Sequence, residues 1–275
     1  MNESELILNP DGSIYHLALL PEDIADTIIL VGDLDRVPEV SKYFDRIELR
    51  KQRREFITHT GWIGQKRISV VSTGIGTDNI DIALNELDAL VNIDFKTRQI
   101  NSRVHVLNLI RIGTSGAIHP SVKLDDYVIS KYAIGLDALG HFYDVQNIKF
   151  PSLPPWSYMT TAYDFDLGFF DSDFISGITL TCPGFYNPQG RMLRISSGNS
   201  LPLEELISFQ MKGIPITNIE METSAIYLLS ALLGHKAISF NAILAQRLSG
   251  EFSQNPEIVV EELIRKVLKW VATLS

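Results

Sequence analysis

The sequence predicts an α/β protein with a central mixed β-sheet flanked by helices. Short β-branched apolar runs alternate along the chain with amphipathic stretches of helical period, and most of the runs read as strands covered on both faces. The chain has 275 residues, and α/β folds reach about 250 residues around one core. A single domain over residues 1–275 is therefore expected.

Strands are expected at Thr27–Val31, Arg67–Ser72, Val104–Ile112, Asp126–Ala133, Gly177–Cys182 and Ala237–Leu244. After the second of these, Ile80, Ala83, Leu84, Leu87, Leu90 and Val91 recur with a helical period, and Thr77 to Asn79 offer N-cap side chains. An apolar helix is expected over Ala225–Leu233. The last helix has Asn255 as cap, Pro256 in its first turn and Val260, Leu263, Ile264, Val267, Val271 and Leu274 on one face. The stretch from His141 to Tyr158 is the least regular, with Pro151, Pro154 and Pro155 among aromatic residues. It reads as a long loop, and a cover over a site and a surface excursion packed by its own aromatics both fit it.

Composition narrows the functional classes. No apolar run is long enough to span a bilayer, and no basic-then-apolar segment follows Met1, so a soluble, unexported, cytoplasmic protein is expected. Cys182 is the sole cysteine, which excludes an internal disulfide and a Cys-rich zinc site. With 24 Lys+Arg against 33 Asp+Glu, the net charge of −9 lacks the broad basic field that a nucleic-acid polymer requires. A small anion is a different matter, because charge-assisted bonds act at contact distance, inside the Debye length of ~8–10 Å.

Four segments carry chemistry. Gly32-Asp33-Leu34-Asp35-Arg36-Val37 follows the first strand, at the carboxyl end where open α/β sheets place ligands; an anion-binding loop and an ordinary Gly-Asp turn both fit it. Ser72-Thr73-Gly74-Ile75-Gly76-Thr77-Asp78-Asn79 turns the next strand into a helix and matches the dinucleotide fingerprint poorly. In Arg111-Ile112-Gly113-Thr114-Ser115-Gly116-Ala117-Ile118 an arginine ends an apolar strand and small residues with N–H and hydroxyl donors follow. A guanidinium there is costly to bury without a partner, so it faces a bound oxyanion or a structural carboxylate. Asn218-Ile219-Glu220-Met221-Glu222 places two carboxylates where a strand meets the apolar helix, suited to sugar hydroxyls or to a helix start.

Taken in order, His16 in Tyr-His-Leu-Ala-Leu, Gly32-Asp-Leu-Asp-Arg36, Arg54-Glu-Phe, Ser72-Thr-Gly-Ile-Gly, Arg111-Ile-Gly-Thr-Ser-Gly, Phe185-Tyr-Asn-Pro-Gln189-Gly-Arg191, Asn218-Ile-Glu-Met-Glu222 and Leu244-Ala-Gln-Arg247 resemble the nucleoside phosphorylases, and within them the uridine phosphorylases. The resemblance spans His16 to Arg247. It implies phosphorolysis of a pyrimidine nucleoside with inorganic phosphate as co-substrate and no organic cofactor or catalytic metal. Phosphate would be held by Gly32, Arg36, Arg111 and Thr114, with Arg54 reaching in from a neighbouring subunit. Ribose would rest on Met221 and Glu222, with His16 of the adjacent subunit at the 5′-hydroxyl. The base would meet Phe185, Gln189 and Arg191. Arg111, Glu222 and Arg36 would carry catalysis by fixing the nucleophile and favouring an oxocarbenium-like sugar. The family assembles as hexamers built from dimers, so a homo-oligomer with shared sites is implied.

Departures from the pattern also carry information. Leu34 stands where the family commonly has proline, and Gly76-Thr77-Asp78-Asn79 where it has Gly-x-Pro-Ser. Some members bind a monovalent cation at positions matching Glu55, Ile75 and Asn79, the last usually serine, which puts that cation in doubt here. Purine phosphorylases and the related nucleosidases typically place an Asp where this chain reads Ala245-Gln246-Arg247. Those enzymes, and a non-catalytic nucleoside-binding protein, are the competing readings.

Overall fold

The computed structural model describes residues 1–143, 145–146, 148, 153–170, 173–195 and 201–274. They form two compact units: residues 1–111, 229–237 and 272–275, and residues 112–228 and 238–271. Ser275, which closes the first, is not among the described residues. The architecture is the expected α/β one, with a large mixed sheet and flanking helices.

In the first unit β1 (Thr27–Val31), α1 (Arg36–Ser41), β2 (Arg46–Arg53), β3 (Phe56–Ile63), β4 (Lys66–Ser72) and α2 (Thr77–Asn92) lead to β5 (Asn108–Ala117), whose first residues belong here. Strand β1 runs parallel to both β4 and β5, with Leu30 opposite Val71 and Arg111. It is buried at all five positions, which is why its bounds could be read from an unbroken apolar run. Strands β4, β3 and β2 continue antiparallel. The β2–β3 hairpin was not foreseen, because β2 alternates exposed with half-buried residues, many of them charged. Helix α2 starts at Thr77, but its N-cap is Gly76 at φ +93°, without a side-chain cap bond, rather than Thr77, Asp78 or Asn79.

In the second unit follow β6 (Tyr127–Gly135), α3 (Leu139–Phe142), β7 (Tyr158–Thr161), β8 (Ile175–Thr181), α4 (Leu203–Ser208), β9 (Ile214–Glu220), α5 (Thr223–Leu233), β10 (Lys236–Gln246) and α6 (Pro256–Val271), α5 and β10 lending some residues to the first unit. Strands β6, β8 and β9 are parallel neighbours, and β10 pairs antiparallel with β6. Ile134, Ile178, Leu180, Cys182, Leu206 and Ile216 fill one core cluster, so Cys182 is a small buried hydrophobe. The His141–Tyr158 stretch begins in α3 and ends at β7; residues 144, 147 and 149–152 lie outside those described.

The structure corrects the reading of Arg111. It does not end its strand: β5 runs on to Ala117, where Gly116 and Ala117 pair antiparallel with Ile219 and Asn218 of β9. Glycine and serine are poor local evidence for a strand, yet here the tertiary pairing overrides them.

Candidate active site

The first unit gathers the carboxyl ends of parallel strands. Beyond β1, Asp35 N donates to Asp33 Oδ1 at 3.0 Å and Arg36 N to Asp33 O at 3.2 Å, so the Gly32–Arg36 loop is a turn held by its own aspartate. It delivers Arg36 to the first residue of α1, half-buried. Beyond β4, Thr73 N donates to Val31 O at 2.8 Å, locking the two loops together. Arg111 lies in the next parallel strand, opposite Leu30, and is 4% exposed. Gly32 and Arg36 thus follow β1, and Arg111 lies in the parallel strand beside it.

Arg54 sits at the tip of the β2–β3 hairpin, exposed, at φ +53°. A non-glycine residue is rarely found in that region and is strained there. Ser72 fixes the turn from behind: its hydroxyl donates to Glu55 O at 2.6 Å and accepts from Ile57 N at 2.7 Å. His16 is near by. Its ring is 4.8 Å from Tyr15, and the Arg53 and Arg54 guanidiniums lie 5.1 and 6.0 Å from the same tyrosine ring. Thus the two residues that the resemblance lends to a neighbouring subunit share one cluster. Sequence reasoning missed Glu86 of α2, which accepts from His16 N at 3.0 Å and Leu17 N at 2.8 Å and meets His16 Nδ1 at 2.6 Å. That contact leaves Nε2 as the ring nitrogen turned to other work. No local pattern links Glu86 to a residue seventy positions away.

The positions matched to a cation also meet, but as a closed set. The Asn79 amide Nδ2 donates to Ile75 O at 3.2 Å, and it packs with the Glu55 side chain against Gly74, which holds φ +73°. The Ile75 carbonyl is thus already engaged by the Asn79 amide.

The second unit holds the residues expected at the sugar and the base. Thr114 lies half-buried in β5. Glu222 is 5% exposed at the start of α5, and Met221 beside it is half-buried. Glu220, its partner carboxylate in sequence, serves the protein: it accepts from Thr181 Oγ1, Glu222 N, Thr223 N and Thr223 Oγ1 at 2.6 to 3.1 Å.

Phe185, Gln189 and Arg191 come together on one loop. Arg191 donates through Nη1 to the Gln189 side-chain oxygen and at 3.0 Å to Phe185 O, and its guanidinium stacks 3.8 Å from the Phe185 ring centroid. Gln189 is 3% exposed while Phe185 is half open. Sequence reasoning assigned no role to Arg247, yet its side-chain carbons and the Arg191 guanidinium both border Gly116, where a Cβ would stand 3.2 and 3.7 Å from them. Arg247 Nη1 is enclosed with no hydrogen-bond partner among the described residues. Burial first, and then the neighbouring Arg247 charge, bring the Arg191 guanidinium down to about 10. Two like charges held this close call for an electron-rich ligand.

The comparisons agree with this geometry. Residues 26–272 match the family model described as the phosphorylase superfamily. A uridine phosphorylase of Thermococcus kodakarensis is 30% identical over 94% of this chain and 88% of its own length. A DeoD-type purine nucleoside phosphorylase of Bacillus subtilis is 28% identical over 86% and 88%. A solved nucleoside phosphorylase of Trypanosoma brucei, described as showing uridine phosphorylase activity, superposes with a TM-score of 0.86 at 27% identity over 98% of this chain and all of that one. Fold and relatives converge, and the chain belongs to the phosphorylase superfamily.

Proposed function

We propose that the protein cleaves uridine, or a close pyrimidine analogue, with inorganic phosphate to give uracil and ribose 1-phosphate. The observation that carries the pyrimidine assignment is the gathering of Gln189, Arg191 and Arg247 beside Phe185, a donor-rich wall with no acid among these residues to protonate a purine. As a phosphate oxygen bonds to C1′, the C1′–N1 bond breaks and its electron pair leaves with uracil, spread over the ring carbonyls. Guanidinium donors stabilise that charge more in the transition state than in the substrate. The proton that hydrogen phosphate gives up balances the one uracil N1 takes up.

Arg36 and Arg111, with Gly32 and Thr114, collect phosphate and fix it for attack; Glu222 and Met221 hold the ribose, the carboxylate favouring positive charge at C1′. Arg54 and His16 complete the site of a second copy, which makes the working form an oligomer. No step runs through a cation.

The relationship to purine phosphorylases favours purine nucleosides as the second reading. One experiment separates the two. Ultraviolet absorbance is followed with uridine, thymidine, 2′-deoxyuridine and inosine, each with and without phosphate. Turnover of uridine that requires phosphate is expected; turnover of inosine, or turnover without phosphate, contradicts the proposal.

A further inference from the structure

The two carboxylates that stand together in Glu220-Met221-Glu222 have different surroundings, and the difference divides their work. Glu220 ends β9, where its carbonyl accepts from Cys182 N at 2.9 Å, and it is 4% exposed. Its Oε1 accepts from Thr181 Oγ1 at 2.6 Å and Thr223 N at 3.1 Å. Its Oε2 accepts from Glu222 N at 2.9 Å and from Thr223 N and Oγ1 at 3.0 Å. The Thr181 hydroxyl in turn accepts from Ser224 N at 2.9 Å, which commits its proton to Glu220. Each oxygen of this carboxylate accepts from more than one donor.

The consequence falls on Glu222. Its N–H is fixed by Glu220, and its carbonyl takes the first helical bond of α5, from Ile226 N at 3.1 Å. Both main-chain groups of Glu222 are therefore anchored, and its side chain leaves from a rigid base between strand and helix. A carboxylate that must meet a vicinal diol within a few tenths of an ångström needs such a base.

We infer that Glu220 is a positioning residue for ribose recognition: it holds the Glu222 backbone so that the Glu222 carboxylate meets the 2′- and 3′-hydroxyls. The inference rests on the reading of Glu222 as the ribose ligand. Glutamine at position 220 keeps the shape but turns an NH2 group toward backbone N–H and hydroxyl donors, so the 221–223 backbone must shift.

The full chain is purified as wild type, Glu220→Gln, Glu222→Gln and Thr181→Val. For each, kcat and KM are measured with uridine and with 2′-deoxyuridine, together with the phosphate KM and Tm. Glu222→Gln is expected to lower kcat/KM for uridine at least tenfold more than for 2′-deoxyuridine. Glu220→Gln shifts that ratio in the same direction by about fivefold or more, with the phosphate KM within twofold of wild type. Thr181→Val, which removes one bond to Glu220, shifts it less and keeps the test informative if Glu220→Gln fails to fold. An unchanged ratio in Glu222→Gln overturns the ribose reading itself. A shifted ratio in Glu222→Gln with an unchanged ratio in Glu220→Gln, or in Thr181→Val where that is the folded variant, overturns the positioning role and leaves Glu220 a structural cap.

Discussion

Substituting Gln189 by leucine tests the base wall at its most buried member. Gln189 is 3% exposed, and its side-chain oxygen is the acceptor that holds the Arg191 guanidinium over Phe185. Leucine has nearly the same volume, so the loop packing survives while that oxygen disappears. The lost charge-assisted bond contributes about 1.5–3 kcal/mol, and the carboxamide's own bond to the base about 0.5–1.5 kcal/mol. Together these are about 2–4.5 kcal/mol, or about 30- to 2000-fold in kcat/KM for uridine, since each tenfold is ~1.36 kcal/mol. Arg191 keeps its bond to Phe185 O and its stacking, so the guanidinium swings rather than unfolds the loop, and Tm stays within a few degrees. The assay is initial-rate ultraviolet spectroscopy at saturating phosphate, with the phosphate KM as the internal control. A kcat/KM within threefold of wild type refutes the assignment of this wall to the base. An equal rise in the phosphate KM places Gln189 elsewhere in the reaction.

Two further perturbations separate stability from function. Arg54→Gly relieves a left-handed backbone at an exposed hairpin tip and raises stability by about 0.5–1 kcal/mol, or ~1–4 °C in Tm, while the phosphate KM rises at least tenfold; a fall in Tm, or an unchanged KM, contradicts the role drawn for Arg54. Asp137 is buried with Tyr158, Ser224 and Leu139 as donors, and burial raises its carboxyl above the usual 3.8. A raised folded pKa contributes stability below the unfolded value and loses it as pH climbs through the folded value. The Tm of Asp137→Asn relative to wild type therefore rises as pH climbs from about 4 and levels off above the folded pKa; parallel melting curves from pH 4 to 8 contradict it.

What could be read before the structure follows from how local each signal is. Thr27–Val31 was legible to the residue because every position is buried, and α6 because Pro256 begins it and Leu263, Ile264 and Val267 line one face. The end of β5 was misread, since Arg111 and the small residues after it belong to a strand only through pairing with β9. The residues proposed for anion, sugar and base were legible by charge in apolar context and by family likeness. Glu86 and Arg247 did not, because the contacts that give them meaning join distant parts of the chain. Glu220 and Glu222 were visible as a pair, and only the hydrogen bonds of Glu220 told them apart.

The central claim is that these residues direct phosphate, and not water, onto a pyrimidine nucleoside. Phosphorus NMR of the purified protein with uridine and inorganic phosphate tests it most directly. The account predicts that the inorganic phosphate signal gives way to ribose 1-phosphate in step with an equal amount of uracil. Uracil released with free ribose and an unchanged phosphate signal would contradict it.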